Sequence, residues 1–190
     1  MFDLVKTLFV SGALFLIAAF LLSISASGQT SESWQKVVEN NDGFNILMPK
    51  APTTSGLSPS SGPKMLMYTS TDGNITYMVV TTGVTAVDWE KATSRDKFIE
   101  GFEQGACEPA SLDKNKCEVT RTREFRYKNF PAVDFKVAVN NVNVGVGRIV
   151  FAGQKTYTLM TTGVGIDNAT TLTQKFLESF ELTYQPSKRE

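Results

Sequence analysis

The alternation of apolar and polar positions begins at "GFNILMPKAP". Phe44, Ile46 and Met48 recur every second residue, which predicts a short strand that Pro49 and Pro52 terminate. The stretch Ala51 to Pro63, "APTTSGLSPSSGP", carries no apolar period and is rich in Ser, Pro and Gly, so it reads as a long loop. "KMLMYTS" and "ITYMVVTTGV" then flank "TDGN", where Asp72-Gly73 signals a tight hairpin turn. The second of these strands is apolar on both faces, with Ile75, Tyr77 and Val79 on one and Met78 and Val80 on the other. That pattern predicts a central strand covered on each side.

The period then changes from two to about 3.6. Asp88 is the expected N-cap of a helix ending near Gly105, with Glu90 in its first turn and a stripe of Trp89, Ala92, Ile99 and Phe102 facing a sheet. From Cys117 to Gly163 the alternation returns as a meander of four strands, punctuated by "YKNF", Asn140-Asn141 and "AGQK". Within it, Val133, Phe135, Val137 and Val139 form an apolar face. Asp134 and Lys136 lie opposite, which predicts an open polar face and a candidate interaction surface. A last helix is expected from an Asp167 N-cap, burying Leu172, Phe176, Leu177 and Phe180, and "ELTYQ" closes the domain as a strand.

"VNVGVGRIVF" contains a G-x-G at Gly145 and Gly147. A dinucleotide fingerprint needs a strand, a glycine turn and then a helix whose amide-rich N-terminus meets the phosphates. Here Val142, Val144, Val146 and Val150 continue the extended run and another strand follows, so the two glycines belong to a strand. Missing side chains on that face would let a helix approach closely, or allow a local bend.

The first residues stand apart. Leu8 to about Leu22 is apolar, follows Lys6 and precedes the small residues of "SISASGQ". Residues 1–28 read as a cleaved signal peptide with a mature start between Ser27 and Ser31, or as an uncleaved anchor, since Leu8 to Ala26 approaches the roughly 20 residues that span a bilayer. Either reading makes residues 29–185 one exported domain, periplasmic or secreted, ahead of a charged tail at 186–190. In an oxidising compartment Cys107 and Cys117 are expected to form a short-range disulfide; the alternative is two free thiols, one of them buried.

Composition removes chemistries rather than adding one. Lys+Arg and Asp+Glu are both 19, so bulk charge points to no nucleic-acid partner. There is no histidine, so Ser-His-Asp and Cys-His constellations cannot be built, and two thiols alone do not make a metal site. "DKNKCE", Asp113 to Glu118, lacks the glycine and distal glutamate of a calcium loop. Glu100 and Glu103 read as a solvated helix side, and Arg121, Arg123 and Arg126 as charges guarding an exposed edge rather than an anion site. No catalytic residue, cofactor or metal is expected.

The element order, with the signatures "GFNILMP", "GQKTYTLMTTG" and "FLESFEL", resembles the PsbP-like (Mog/PsbP) fold over about Trp34 to Tyr184. More narrowly, the chain resembles the exported bacterial proteins of that kind. The resemblance implies an α+β domain, an antiparallel sheet of about seven strands with helices packed on it as an α/β/α sandwich. It also implies a mostly non-catalytic role. The photosynthetic branch supplies extrinsic lumenal subunits of photosystem II, and the nuclear branch binds a small GTPase. This chain lacks the histidine for the metal contacts of the former, and export excludes the latter, so no functional residue carries over. The expectation is a non-catalytic binding or accessory domain whose partner is an envelope protein or small ligand. An enzyme with an unrecognised site and a structural or stress-related envelope protein are the alternatives.

Overall fold

A computed structural model describes residues 34–57, 64–84, 87–107, 116–164, 166 and 170–183. The N-terminal apolar segment, the calcium-like tip "DKNKC" up to Asn115 and the charged tail lie outside them. No helix among the described residues is long and apolar enough to cross a membrane.

Ten strands and two helices are described, in the order β1 (Gln35–Glu39), β2 (Phe44–Met48), β3 (Thr53–Leu57), β4 (Met65–Asp72), β5 (Ile75–Gly83), α1 (Ala92–Ala106), β6 (Cys117–Tyr127), β7 (Phe130–Val139), β8 (Val142–Ala152), β9 (Lys155–Thr162), α2 (Thr171–Glu178) and β10 (Glu181–Leu182). Seven strands form one antiparallel sheet in the order β3-β4-β5-β9-β8-β7-β6; the other three form a small sheet, β1-β2-β10. The expected fold class and seven-stranded sheet are therefore present, and β5 is central as its two-sided apolar pattern required.

The turns explain the meander. Lys128-Asn129 and Asn140-Asn141 all sit at positive φ, between 45° and 73°, which gives two-residue connections whose twist matches that of the strands they join. Asparagine tolerates this region because its short amide bonds locally.

Each face of the large sheet builds its own core. On one face Tyr68, Tyr77, Val79, Val150, Tyr157 and Leu159 pack against Phe44, Ile46 and Met48 of the small sheet and Phe176, Leu177 and Phe180 at the end of the chain. On the other, Val133, Phe135, Val137, Ile149 and Phe151 pack against Trp89, Phe98 and Ile99. The sandwich thus has α1 on one side, and α2 together with a three-stranded sheet on the other. That second layer refines the expected helix-only covering.

Several boundaries differ from the pattern. The loop expected over 51–63 contains β3, whose Thr53 to Leu57 pair with Thr69 to Met65; small polar residues gave no apolar period because they lie exposed at a sheet edge. Residues 58–63 lie outside the described set. Strand β1, which the pattern left unassigned, pairs with β2 and buries Val37 alone. Helix α1 starts three residues later than expected, with Lys91 as its cap residue. Asp88 instead accepts from the Glu90 amide at 3.2 Å, a local turn that competes with the helix. Phe98 is buried where Ala92 is exposed. The cap of α2 is Thr170, whose hydroxyl accepts from the Thr173 amide; Asp167 lies outside the described residues.

Gly145 and Gly147 lie inside β8, as the strand reading requires. A Cβ on Gly147 would meet the Leu159 carbonyl at 2.2 Å and the Phe135 ring at 2.6 Å. The space is filled by an aromatic ring from the neighbouring strand, and Phe102 of α1 then packs on that ring at 4.7 Å. The helix does approach here, through one intervening phenylalanine.

Candidate interaction surface

Asp134 and Lys136 project from β7 toward the face that carries the small sheet and α2. The expected open polar face does not hold at Asp134, which is 8% exposed. Register explains why: Asp134 faces Arg148 on β8 and Arg123 on β6. Its Oδ1 accepts from Arg148 Nε at 2.7 Å, and its Oδ2 from Arg123 Nη2 at 2.8 Å. Both guanidiniums also lie over the Phe125 ring, at 4.2 Å and 4.8 Å from its centroid. Arg148 is itself buried and reaches the Leu177 carbonyl of α2. The cluster is therefore a brace between three strands and a helix. Lys136, half-buried, sits one pleat further along the same face.

The arginines of β6 reach both faces of the sheet. A register shift between Arg121 and Arg123 turns Arg121 toward α1, where it donates to Asp96 at 2.8 Å and Glu103 at 3.3 Å. Burial alone would lower its pKa, but these two carboxylates outweigh that and raise it. Glu103 is thus engaged rather than free on a solvated side. Arg126 pairs with Glu90, whose carboxyl is held below the usual range first by that hydrogen bond. A Cys107–Cys117 disulfide, with Cα atoms 5.5 Å apart, joins the end of α1 to the start of β6, the pairing expected of an oxidising compartment rather than two free thiols. The last strand of the sheet is thereby guarded by charge and tied to the helix above it.

A second buried cluster was not anticipated. Asp42, 8% exposed, accepts from the Tyr68 hydroxyl at 2.5 Å and from Lys155 Nζ at 3.1 Å, while the Tyr157 hydroxyl donates to its carbonyl at 2.7 Å. Desolvation pushes the Asp42 carboxyl up, but the bonds from Tyr68 and Lys155 prevail and hold it down. Burial, and then Asp42, push the Tyr68 hydroxyl up. These groups come from β4, β9 and the β1–β2 turn, so they join the small sheet to the large one. Their long sequence separation hid them; Arg148 was more legible, as the one cation in an otherwise apolar strand.

At the opposite edge, β3 presents Thr53, Thr54, Ser55 and Gly56, all exposed and uncharged. Its pairing with β4 is regular throughout. Among the described residues, no group of three or more His, Cys, Asp or Glu side chains is placed to hold a metal.

Comparison with known proteins finds a likeness in structure alone. No family model matches the chain, and no curated protein matches it. The solution structure of cyanobacterial PsbP (CyanoP) from Synechocystis sp. PCC 6803 matches with a TM-score of 0.55 at 14% identity, covering 85% of this chain and 98% of that one. The chain has the PsbP-like fold.

Proposed function

We propose that this chain is an exported, non-catalytic interaction domain that docks on a protein of the cell envelope. The observation that carries the reading is how its ionised groups are used. Asp42 with Lys155, and Arg121 with Asp96 and Glu103, join one layer to another, and Asp134 with Arg148 and Arg123 ties three neighbouring strands while Arg148 reaches α2. Groups held this way stiffen a scaffold and do not converge on a reacting atom. The Cys107–Cys117 disulfide supports an oxidising compartment, and the apolar segment at Leu8–Ala26 supports export.

The docking surface of this proposal is the β3 edge, since Asp134 is occupied within the fold. An exposed, regular, uncharged edge strand offers main-chain donors and acceptors to an extended segment of a partner. The two edges of the sheet differ in this respect: β6 carries three arginines and a register shift, and β3 carries neither. The test is affinity capture from the native envelope with the wild-type chain and with Thr54→Lys, a charge that disfavours strand addition. Capture of the envelope partner is expected to fall while thermal unfolding stays the same. Unchanged capture removes β3 from the proposal, and turnover of hydrolase or oxidoreductase substrates by the pure protein overturns the non-catalytic reading.

A further inference from the structure

Among the described residues three aspartates are buried: Asp42 at 8% exposure, Asp72 at 7% and Asp134 at 8%. Two of them have cations, Lys155 beside Asp42 and Arg148 beside Asp134. Asp72 has none. No lysine or arginine among the described residues pairs with it, and no donor bonds its carboxylate. Aspartate before glycine in a hairpin commonly accepts a bond from a turn amide. That bond is not made here among the described residues.

Register shows what surrounds this carboxylate. Asp72 is opposite Ile75 at the β4–β5 hairpin, and Ser70, two residues back on the same face, is opposite Tyr77. Asp72 and Tyr77 are therefore diagonal neighbours, about 7–8 Å apart where they leave the backbone and within reach of an aromatic side chain. The Tyr77 hydroxyl is buried and also has no hydrogen-bond partner. Burial first, and then the charge of Asp72, push it up to about 12, so it keeps its proton at neutral pH. The Tyr77 ring meets Trp34 edge-on at 5.0 Å. Trp34 and Ile75 are only half-buried, which makes them the outer wall. Ser70 is already engaged, since its hydroxyl accepts from the Lys50 amide and donates to the Lys50 carbonyl. Lys175 of α2 holds its ammonium 4.8 Å from the centre of the Trp34 ring but makes no ion pair with Asp72.

We propose that Asp72, Tyr77 and Trp34 form a site for a protonated primary amine, where β4 turns into β5. The inference is independent of the docking reading at β3. A buried carboxylate without a counter-charge is costly, and an ammonium supplies that charge. Its N–H donors suit the two groups that lack partners, the Asp72 carboxylate and the Tyr77 oxygen. An aromatic wall favours an organic cation further. A hard divalent metal fits less well, because it needs about six oxygen ligands or more and Asp72 belongs to no group of three candidate ligands. The amine can be a free small molecule or the lysine side chain of a partner, and the chemistry is the same.

The experiment titrates the full chain, carrying 15N-labelled tryptophan, with cadaverine and with Nα-acetyl-lysine N-methylamide. Sodium chloride at matched ionic strength is the control. The Trp34 indole signal is expected to move and saturate with the amines, while Trp89, in the opposite core, stays still. Asp72→Asn keeps the shape and the turn preference, and is expected to weaken binding about tenfold or more, the worth of a charge-assisted hydrogen bond. Without amine, Asp72→Asn is expected to raise the thermal midpoint, because it removes an unpaired buried charge. Tighter binding of cadaverine assigns the site to a free amine, and tighter binding of the lysine amide to a protein partner. A Trp34 signal that follows ionic strength alone overturns the site, as does undiminished affinity in Asp72→Asn. A lowered midpoint in that variant also overturns it, since the carboxylate would then have its partner within the fold.

Discussion

Replacing Asp134 with alanine removes the one carboxylate that the described residues give to Arg148. The Arg148 and Asp134 side chains are only 10% and 12% exposed, so the guanidinium left behind is largely cut off from water. Breaking such a pair by deleting one partner costs about 3–5 kcal/mol, against a typical total of about 5–15 kcal/mol. Arg123 also bonds Asp134, but its side chain is 58% exposed. Its removal should therefore cost about 0–1 kcal/mol, because water replaces the lost contact. Urea unfolding followed by tryptophan fluorescence, with the disulfide intact, separates the two. With a slope of about 2 kcal/mol per molar, Asp134→Ala should lower the midpoint by about 1.5–2.5 M and Arg123→Ala by less than about 0.5 M. Adding Arg148→Met to Asp134→Ala should recover much of the loss, since an apolar side chain needs no counter-charge. The reasoning fails if Asp134→Ala and Arg123→Ala cost the same, or if the double variant is no more stable than Asp134→Ala.

Three further outcomes follow from the same geometry. Gly147→Ala places a Cβ 2.2 Å from the Leu159 carbonyl, a backbone atom that cannot turn aside, so a loss of about 3 kcal/mol or more, or failure to fold, is expected in thermal unfolding. Reducing Cys107–Cys117 reopens a cross-link of sequence separation 10 and should cost about 2–3 kcal/mol, measured as the difference in urea midpoint with and without reductant. Asp42 has a depressed pKa, so its contribution is present above its unfolded value of 3.8 and lost as pH falls through the folded one. The acid limb of a stability–pH profile should be shallower in Asp42→Asn than in the wild type, and identical slopes would assign that limb to other groups.

The alternating strands were legible because period two and turn chemistry agree. Asp72-Gly73 and Asn140-Asn141 both coincide with the ends of clean apolar runs, and both are hairpins. Strand β3 was hidden because an exposed edge of Thr, Ser and Gly has no core face to mark it. Helix α1 began late because Asp88 satisfies a nearby amide through a turn, and sequence alone does not say which competitor prevails. The polar face around Asp134 was read correctly as a face and wrongly as open. Alternation reports which residues share a side, whereas their burial depends on what the register brings opposite, here Arg148 and Arg123. The Asp42 cluster depends on pairings more than a hundred residues apart, with Tyr157 and Lys155, and no local pattern encodes them.

The three-stranded sheet has a consequence for timing. Strand β2 forms near the start of the domain, yet its second neighbour is β10, and Asn45 reaches Glu181 across 136 residues. Until Leu182 has left the ribosome, the layer holding Phe44, Phe176 and Phe180 cannot close over the large sheet. Contacts of such long range form late and slowly. That layer therefore stays incomplete for nearly the whole of the chain's synthesis. Its final strand acts as a clasp that closes this layer last.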